Sequence, residues 1–284
     1  MAVFTNQATL TWNGSTTSSN VIVGEVLEVL EAQKTAVEGS YTPGGLVTYA
    51  VTLRNTGSTA LAGLTITDDL GGYAFEGATV YPLTYEAGSA VLFAGGVQQA
   101  APAVTAGPPL QFTGIAVPAG SDVVLLYQAR VNSFANPAQG GSISNTASIT
   151  GGGLAAPVAV TETVISAQAP QLTISKAVCP AQVVENERIT YTFVIQNTGN
   201  TPVVATDDAV VTDVFNPVLS DLAVTLDGAV WTEGTQYTYD GVTGAFATVP
   251  GWITVPAATY AQSAETGEYS LTPGMVTLVV SGTV

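Results

Sequence analysis

The chain has 284 residues and a net charge of −16, from 21 acidic against 5 basic side chains, with only 9% of its residues charged. That balance disfavours nucleic acid or an anionic membrane as partner; with no histidine and a single cysteine, Cys179, the chain has no His-based triad, Cys–His nucleophile, zinc site or internal disulfide. Mean hydropathy is +0.37 with 30 Gly and 15 Pro spread throughout, the composition of many short strands and turns rather than of disorder.

The N-terminal MAVFTNQATLTWNG has neither the basic nor the apolar region of a secretory signal. The expectation is therefore a signal already removed or assembly inside a cell. No apolar run approaches the roughly 18 residues of a membrane helix, so no membrane insertion is expected. The first predicted element is a hairpin, VFTNQATLTW (3–12) and NVIVGEV (20–26), followed by a linker at 27–33. Next comes LEAQKTAVEGSYTPGGLVTYAVTLRNTG (30–57), in which VTYAVTLRNTG alternates apolar and polar residues and stops at Asn-Thr-Gly. That is a half-buried strand ending in a turn. LTITDDL (64–70) and VVLLYQARV (123–131) read as further strands. SISNTASIT (142–150), the turn GGGLAAP and VAVTETV (158–164) read as a closing hairpin.

The chain then repeats itself. LTISKAVCPAQVVENERITYTFVIQNTG (172–199) matches the first copy with a shift of 142, pairing Lys34 with Lys176, Tyr49 with Tyr191 and Asn55 with Asn197. AVVTDVF (209–215) matches LTITDDL with a shift of 145 and pairs Asp68 with Asp213. TPGMVTLVVSGTV (272–284) matches VPAGSDVVLLYQARV (117–131). No amphipathic helix interrupts this series. The expected fold is all-β: two tandem β-sandwich domains, domain 1 at 34–167 and domain 2 at 168–284.

The order of a Lys-bearing strand, "YAVTLRNTG" or "YTFVIQNTG", a "TD", a "PxG" turn and "SNTASIT" resembles the bacterial surface-repeat family known as domain of unknown function eleven. The resemblance covers most of both repeats. It implies Ig-like sandwiches in tandem on cell-surface proteins, and no enzymatic activity or cofactor.

Domain 2 lacks a counterpart of the 142–164 hairpin, while residues 1–26 supply one, with Asn6 in the place of Asn145. A sandwich short of two strands exposes unpaired backbone and an apolar slot, and an orphan hairpin is at best marginal in water. The expectation is that the hairpin completes domain 2 of a neighbouring subunit, as in donor-strand complementation. The residues expected to carry this are Val3, Phe4, Asn6, Ala8, Leu10, Trp12, Val21 and Val23 on the donor, and Val276, Leu278 and Val280 on the acceptor. Self-closure is disfavoured, because the 7 residues from Leu27 to Gln33 reach at most ~3.5 Å each whereas a sandwich is roughly 40 Å long. A piece cut from a longer tandem array is the remaining alternative. A head-to-tail contact of this kind does not close on itself, so the partner expected is a homopolymer of the same chain.

The chain's two lysines fall on one repeat position, each with a matched Asp and, counting the donated strand, a matched Asn. The sets Lys34, Asp68, Asn145 and Lys176, Asp213, Asn6 resemble the Lys–Asp–Asn trio of Gram-positive pilus domains. That resemblance implies a buried amine attacking a carboxamide to form an isopeptide bond, within domain 1 for the first set and between subunits for the second. The same residues also read as Lys–Asp ion pairs with an Asn capping a turn.

Cys179 stands where the first copy has Val37 and reads as a core or semi-core thiol. Asp68-Asp69 and Asp207-Asp208 lack the spacing of a calcium loop, so no metal is expected. Trp12, Trp231 and Trp252 raise the alternative of a glycan- or matrix-binding adhesin module, and the long stretch Gly228–Tyr269 that of a laterally interacting surface. The leading expectation is a filament subunit at a cell or spore surface.

Overall fold

The computed structural model describes residues 2–284 and is built almost wholly of strands, with one 3-10 turn at Ala205–Asp207. It divides into two compact units, one running through Ala135 and including Ser142–Ile165, the other Asn136–Gly141 with Ser166–Val284.

The N-terminal segment is a long two-stranded ribbon. Strand β1 (Ala2–Asn6) pairs with β4 (Ile22–Val26), and β2 (Thr9–Trp12) with β3 (Ser15–Ser18). None of the four joins another sheet. Asn13 and Gly14 both take positive φ, 45° and 78°, the Asn-Gly signature of a tight hairpin turn. Trp12 faces Ser15 and Leu10 faces Thr17, but Asn6 faces Ile22 and Phe4 faces Gly24. The return strand therefore carries one extra residue near Ser19, a bulge held by the Ser19 N–H on the Ala8 carbonyl at 2.9 Å and the Ala8 N–H on Ser19 Oγ at 3.0 Å. Because cross-strand partners share a face, Phe4, Asn6, Leu10, Trp12, Ile22 and Val26 line one side. Gly24 lets the Phe4 ring lie across the ribbon, since a Cβ would come within 2.4 Å of that ring.

Domain 1 begins with β5 (Leu30–Ala36), β6 (Ser40–Tyr41), β7 (Leu46–Asn55) and β8 (Leu61–Asp68). Short strands follow: β9 (Tyr73–Phe75), β10 (Ala78–Val80), β11 (Leu83–Tyr85), β12 (Val91–Ala94), β13 (Val97–Gln98) and β14 (Ala103–Thr105). The domain ends with β15 (Leu110–Val117), β16 (Asp122–Val131), β17 (Ser142–Thr150) and β18 (Val158–Ser166). One sheet runs β13-β12-β16-β7-β5, with β11 also on β16; the facing sheet runs β14-β15-β8-β17-β18-β6. The alternation read in the sequence sets the core. Val47, Tyr49, Val51 and Leu53 of one sheet meet Leu64, Ile66, Ile143 and Ile149 of the other, all buried. Burying each apolar side chain of this size contributes roughly 1.5–3 kcal/mol.

The Asn-Thr-Gly turn has a specific use. Asn55 Nδ2 donates to the carbonyls of Thr59 (2.8 Å) and Val117 (3.2 Å), and its Oδ1 accepts the Gly57 N–H. Asn197 repeats this with Thr201, Pro256 and Gly199. The motif thus ties a strand end to the facing strand β15 in domain 1 and to the loop segments at Thr201 and Pro256 in domain 2.

Domain 2 comprises β19 (Leu172–Cys179), β20 (Arg188–Asn197), β21 (Thr212–Val214), β22 (Ser220–Leu226), β23 (Ala229–Trp231), β24 (Tyr237–Tyr239), β25 (Ala245–Thr248), β26 (Thr259–Gln262), β27 (Tyr269–Thr272) and β28 (Gly274–Thr283). One sheet, β19-β20-β28-β22-β23, reproduces β5-β7-β16-β12-β13. The facing sheet is only β21-β25-β24. In domain 1 the central strand β8 is flanked by β15 and β17; its counterpart β21 has β25 on one side and, among the described residues, no strand on the other.

Two expectations need correction. Cys179 is exposed, as is Val37: both lie on the outer face, the inner one being set by Lys34 and Lys176. Trp231 is buried in the domain 2 core, so the three tryptophans form no common platform. The stretch Gly228–Tyr269 contributes Trp231, Tyr237, Phe246, Ile253 and Val255 to the core, while most of its other residues are exposed. Its exposed apolar residues include Val230 and Val242.

Candidate functional site

In domain 1, the Lys34 side chain crosses the interior from β5 to the facing sheet. Its Nζ lies 2.6 Å from Asp68 Oδ2, with both side chains wholly buried. The Tyr127 hydroxyl donates to the same oxygen, and Asp68 Oδ1 accepts the Leu70 N–H at 2.9 Å. The lysine also sits 4.7 Å from the centre of the Tyr49 ring. Asp68 faces Ala147 across the β8–β17 ladder, so Asn145, one pleat along β17, points into the same interior. Asn145 is fully buried beside the Tyr49 and Tyr127 hydroxyls, but neither of its amide atoms, nor the Tyr49 hydroxyl, reaches full hydrogen-bond geometry. Burial holds the Lys34 ammonium below its ordinary pKa, and the charge of and hydrogen bond to Asp68 offset this only in part. Burial, reinforced by the Asp68 charge, pushes the Tyr127 phenol well up, so it remains a donor.

The sequence reading did not single out Tyr127 and Glu162. Tyr127 faces Tyr49 directly, and its counterpart in the second copy is Val280, a difference visible on aligning the copies. Glu162 faces Asn145 across β17–β18 and adds negative potential at Lys34. Tyr127→Phe is expected to cost about 1.5–3 kcal/mol, the range of a hydrogen bond to a charged group. The measurement is the denaturant midpoint of domain 1. An unchanged midpoint would show that the phenol contributes nothing to holding Asp68.

In domain 2, Lys176 pairs with Asp213, but in the open: the side chains are 40% and 18% exposed. The lysine lies over the rings of Tyr191 (4.6 Å), Phe215 (5.4 Å) and Phe193 (5.5 Å). Beside it, Leu172, Ile174 and Val178 project from the inner face of β19 and are exposed. Leu172, Ile174, Ile195, Ala209, Val211 and Ile253 line a groove of about 160 Å³ open to solvent.

Val276, Leu278 and Val280 are buried, so they form the floor of domain 2. On the ribbon, Phe4 (51%), Leu10 (63%) and Trp12 (52%) are widely exposed on one face, with Asn6 and Ala8 exposed beside them. Val3 and Val23 face Glu25 and Thr5 and so lie on the opposite side. Val21 is exposed at the bulge.

Asp69 Oδ1 accepts the N–H groups of Gly71 and Thr146, both at 2.9 Å. Among the described residues no three His, Cys, Asp or Glu side chains form a cluster suited to a metal, and no helix is long and apolar enough to cross a membrane.

No protein-family model and no curated protein matches the chain. Solved structures similar to it include a 35 kDa C-terminal fragment of the major pilin GBS80 of Streptococcus agalactiae, at 10% identity and TM-score 0.36, covering 87% of this chain and 91% of that one. The collagen-binding subdomain of the Enterococcus faecalis surface protein ACE is similar at 7% identity and TM-score 0.31, covering 50% of this chain and 99% of that one. Red sea bream transglutaminase is similar at 11% identity and TM-score 0.28; 87% of this chain is covered but only 31% of the enzyme. Function has to be argued from the sites.

Proposed function

We propose that the chain is a structural subunit of a surface filament, in which the N-terminal ribbon of one copy completes domain 2 of the next. One observation carries this reading. The strand β21 and the inner face of β19 lie open where domain 1 has β17 and β18, and the ribbon carries the matching pattern with its apolar face in water. Inserting it would satisfy the open edge of β21 and remove Phe4, Leu10, Trp12 and Ile22 from solvent, each worth roughly 1.5–3 kcal/mol. A contact between two different surfaces of one chain propagates head-to-tail rather than closing. The role is mechanical, and no enzymatic step is required of any residue outside the lysine sites. The adhesin alternative has lost its tryptophan platform to the burial of Trp231.

The lysine sites are read here as covalent locks. Burial favours the neutral amine at Lys34, and Asp68 beside it accepts the proton as the reaction proceeds. The Nζ lone pair attacks Cγ of Asn145, Asp68 relays protons to the departing nitrogen, and an amide forms as one ammonia leaves. Both amide atoms of Asn145 fall short of full hydrogen-bond geometry in the unlinked chain, which is rare for buried polar groups; the reaction expels one of them. Lys176 would act on Asn6 of the neighbouring copy once the ribbon covers it, with Asp213 in the place of Asp68. The simple ion-pair reading keeps its own support in the 2.6 Å Lys34–Asp68 contact.

Electron microscopy of the purified chain is the test, with filaments expected. Monomers persisting at high concentration would count decisively against the proposal. For the intersubunit bond, boiling in SDS should leave ladders. Lys176→Arg keeps the charge but removes the nucleophile; filaments should still form in native buffer, and the ladders should vanish. Ladders that survive this change would exclude Lys176 as the linking residue.

A further inference from the structure

The two domains fill equivalent space in opposite ways. In domain 1, Leu64 of β8 is fully buried opposite Ile115. The strand beside it, β17, stays in the sheet only to Thr150, opposite Thr65. It then leaves through Gly151 and Gly152, both at positive φ. There is no room for side chains there. A Cβ on Gly152 would come within 2.6 Å of Leu64 Cδ2, and one on Gly151 within 2.6 Å of the Gly63 carbonyl oxygen.

In domain 2 the position of Leu64 is Ala209, on the same repeat alignment that pairs Asp68 with Asp213. The backbone supports that alignment, because Gly63 and its counterpart Asp208 both take positive φ, 74° and 51°. Ala209 and Ile253, the counterpart of Ile115, lie at the groove described above. On the ribbon, the alignment of Asn6 with Asn145 puts Leu10 at Ile149 and Trp12 at Gly151. Unlike β17, β2 continues extended to Trp12, and the chain turns only at Asn13. Domain 1 thus combines a large residue on β8 with none on the departing strand, and the other pair combines a small residue with the largest side chain available.

We propose that Trp12 is the specificity anchor of the subunit joint, seated in the groove over Ala209 of a second copy. The exchange of sizes directs each hairpin to its own domain. The ribbon is excluded from domain 1, where Leu64 occupies the space an indole needs. The β17–β18 hairpin of domain 1 would leave the Ala209 groove empty, losing packing contacts. Exchange of hairpins between the two homologous domains is the characteristic misassembly of repeat proteins, and a clash combined with a void opposes it in both directions. This inference rests on the donation reading above, and it adds to that reading a register, with Leu10 opposite Val211, Thr11 opposite Val210 and Trp12 opposite Ala209.

The test uses the full-length chain and measures its critical concentration for polymerisation by sedimentation, with microscopy of the pellet. Trp12→Ala and Ala209→Leu should each raise that concentration roughly tenfold or more, the first by leaving a void and the second by overpacking. Combined, they restore the small-against-large match of domain 1, and the double variant should polymerise better than Ala209→Leu alone. Strictly additive losses, or an Ala209→Leu chain that assembles like the parent, overturn the anchor while leaving donation intact. A parent chain that never assembles, or one that assembles without residues 1–26, overturns donation and the anchor with it. As a check that does not depend on how Ala209→Leu folds, Thr11→Cys and Val210→Cys in a Cys179→Ser background leave the indole in place. Oxidation of those filaments should link neighbouring copies, and intact filaments that yield no disulfide would refute the register.

Discussion

Deleting residues 1–26 is expected to abolish filament formation and to leave soluble subunits whose two domains melt separately, domain 2 first. The reason lies in the unequal completeness of the sandwiches. In domain 1 the ladder β15-β8-β17-β18 is continuous, and the core between the sheets is closed. In domain 2, β21 keeps one open edge, and Leu172, Ile174 and Val178 face water. In the proposed filament the ribbon covers that face, which would link polymerisation to the stability of domain 2. A partner that binds only the folded state raises the apparent melting temperature, and the rise depends on concentration. The parent chain should show a concentration-dependent second transition, and the deletion a lower and concentration-independent one. Filaments from the deleted chain would refute donation outright. So would a domain 2 equally stable with and without the ribbon.

Asn145→Ala separates the two readings of the buried lysine by the sign of its effect. If the site is only a Lys34–Asp68 ion pair, the substitution removes two buried polar atoms that fall short of full hydrogen-bond geometry, and stability should hold or rise by about 1–3 kcal/mol. If Lys34 and Asn145 are joined, the substitution opens a loop spanning residues 34–145. By analogy with a disulfide closing about 100 residues, the loss approaches 4–5 kcal/mol. Intact mass gives the matching readout: the parent chain should weigh ~17 Da less than its sequence for each ammonia lost, and Asn145→Ala should abolish that deficit in domain 1. A parent chain at full mass would eliminate the domain 1 bond. Lys34→Ala is a harsher change under either reading. It strands the buried Asp68 carboxylate, and breaking a buried pair in this way costs about 3–5 kcal/mol.

Much of the strand order was legible, because a strand that buries one face must alternate. SISNTASIT was read as 142–150 and forms β17 over the same residues, and VVLLYQARV falls within β16. The lysine, aspartate and asparagine positions were legible because the chain states them twice. What escaped the reading depends on contacts across sheets. Tyr127 meets Asp68 only when β16 and β8 face each other. Glu162 comes to Asn145 through the pairing of β17 with β18. The bulge near Ser19 is likewise visible only in the pairing; Ile22 faces Asn6 whereas Glu162 faces Asn145, so the two asparagines differ in what lies across from them. Cys179 was misplaced because one step along a strand reverses the face, and the repeat alignment fixes position without fixing direction.

By itself the sequence determined that this is a duplicated β-protein without histidine chemistry, that its two lysines occupy one repeat position, and that residues 3–12 resemble the strand at 142–150. These are matters of order and period, which are written along the chain. Only the tertiary structure decided which side chains are dry. It buries Lys34 wholly and leaves Lys176 partly in solvent, and it gives Asn145 a buried place short of full hydrogen-bond geometry while Asn6 lies exposed. Burial is the joint product of two facing sheets, and equivalent residues acquire different chemistry when one of those sheets is incomplete.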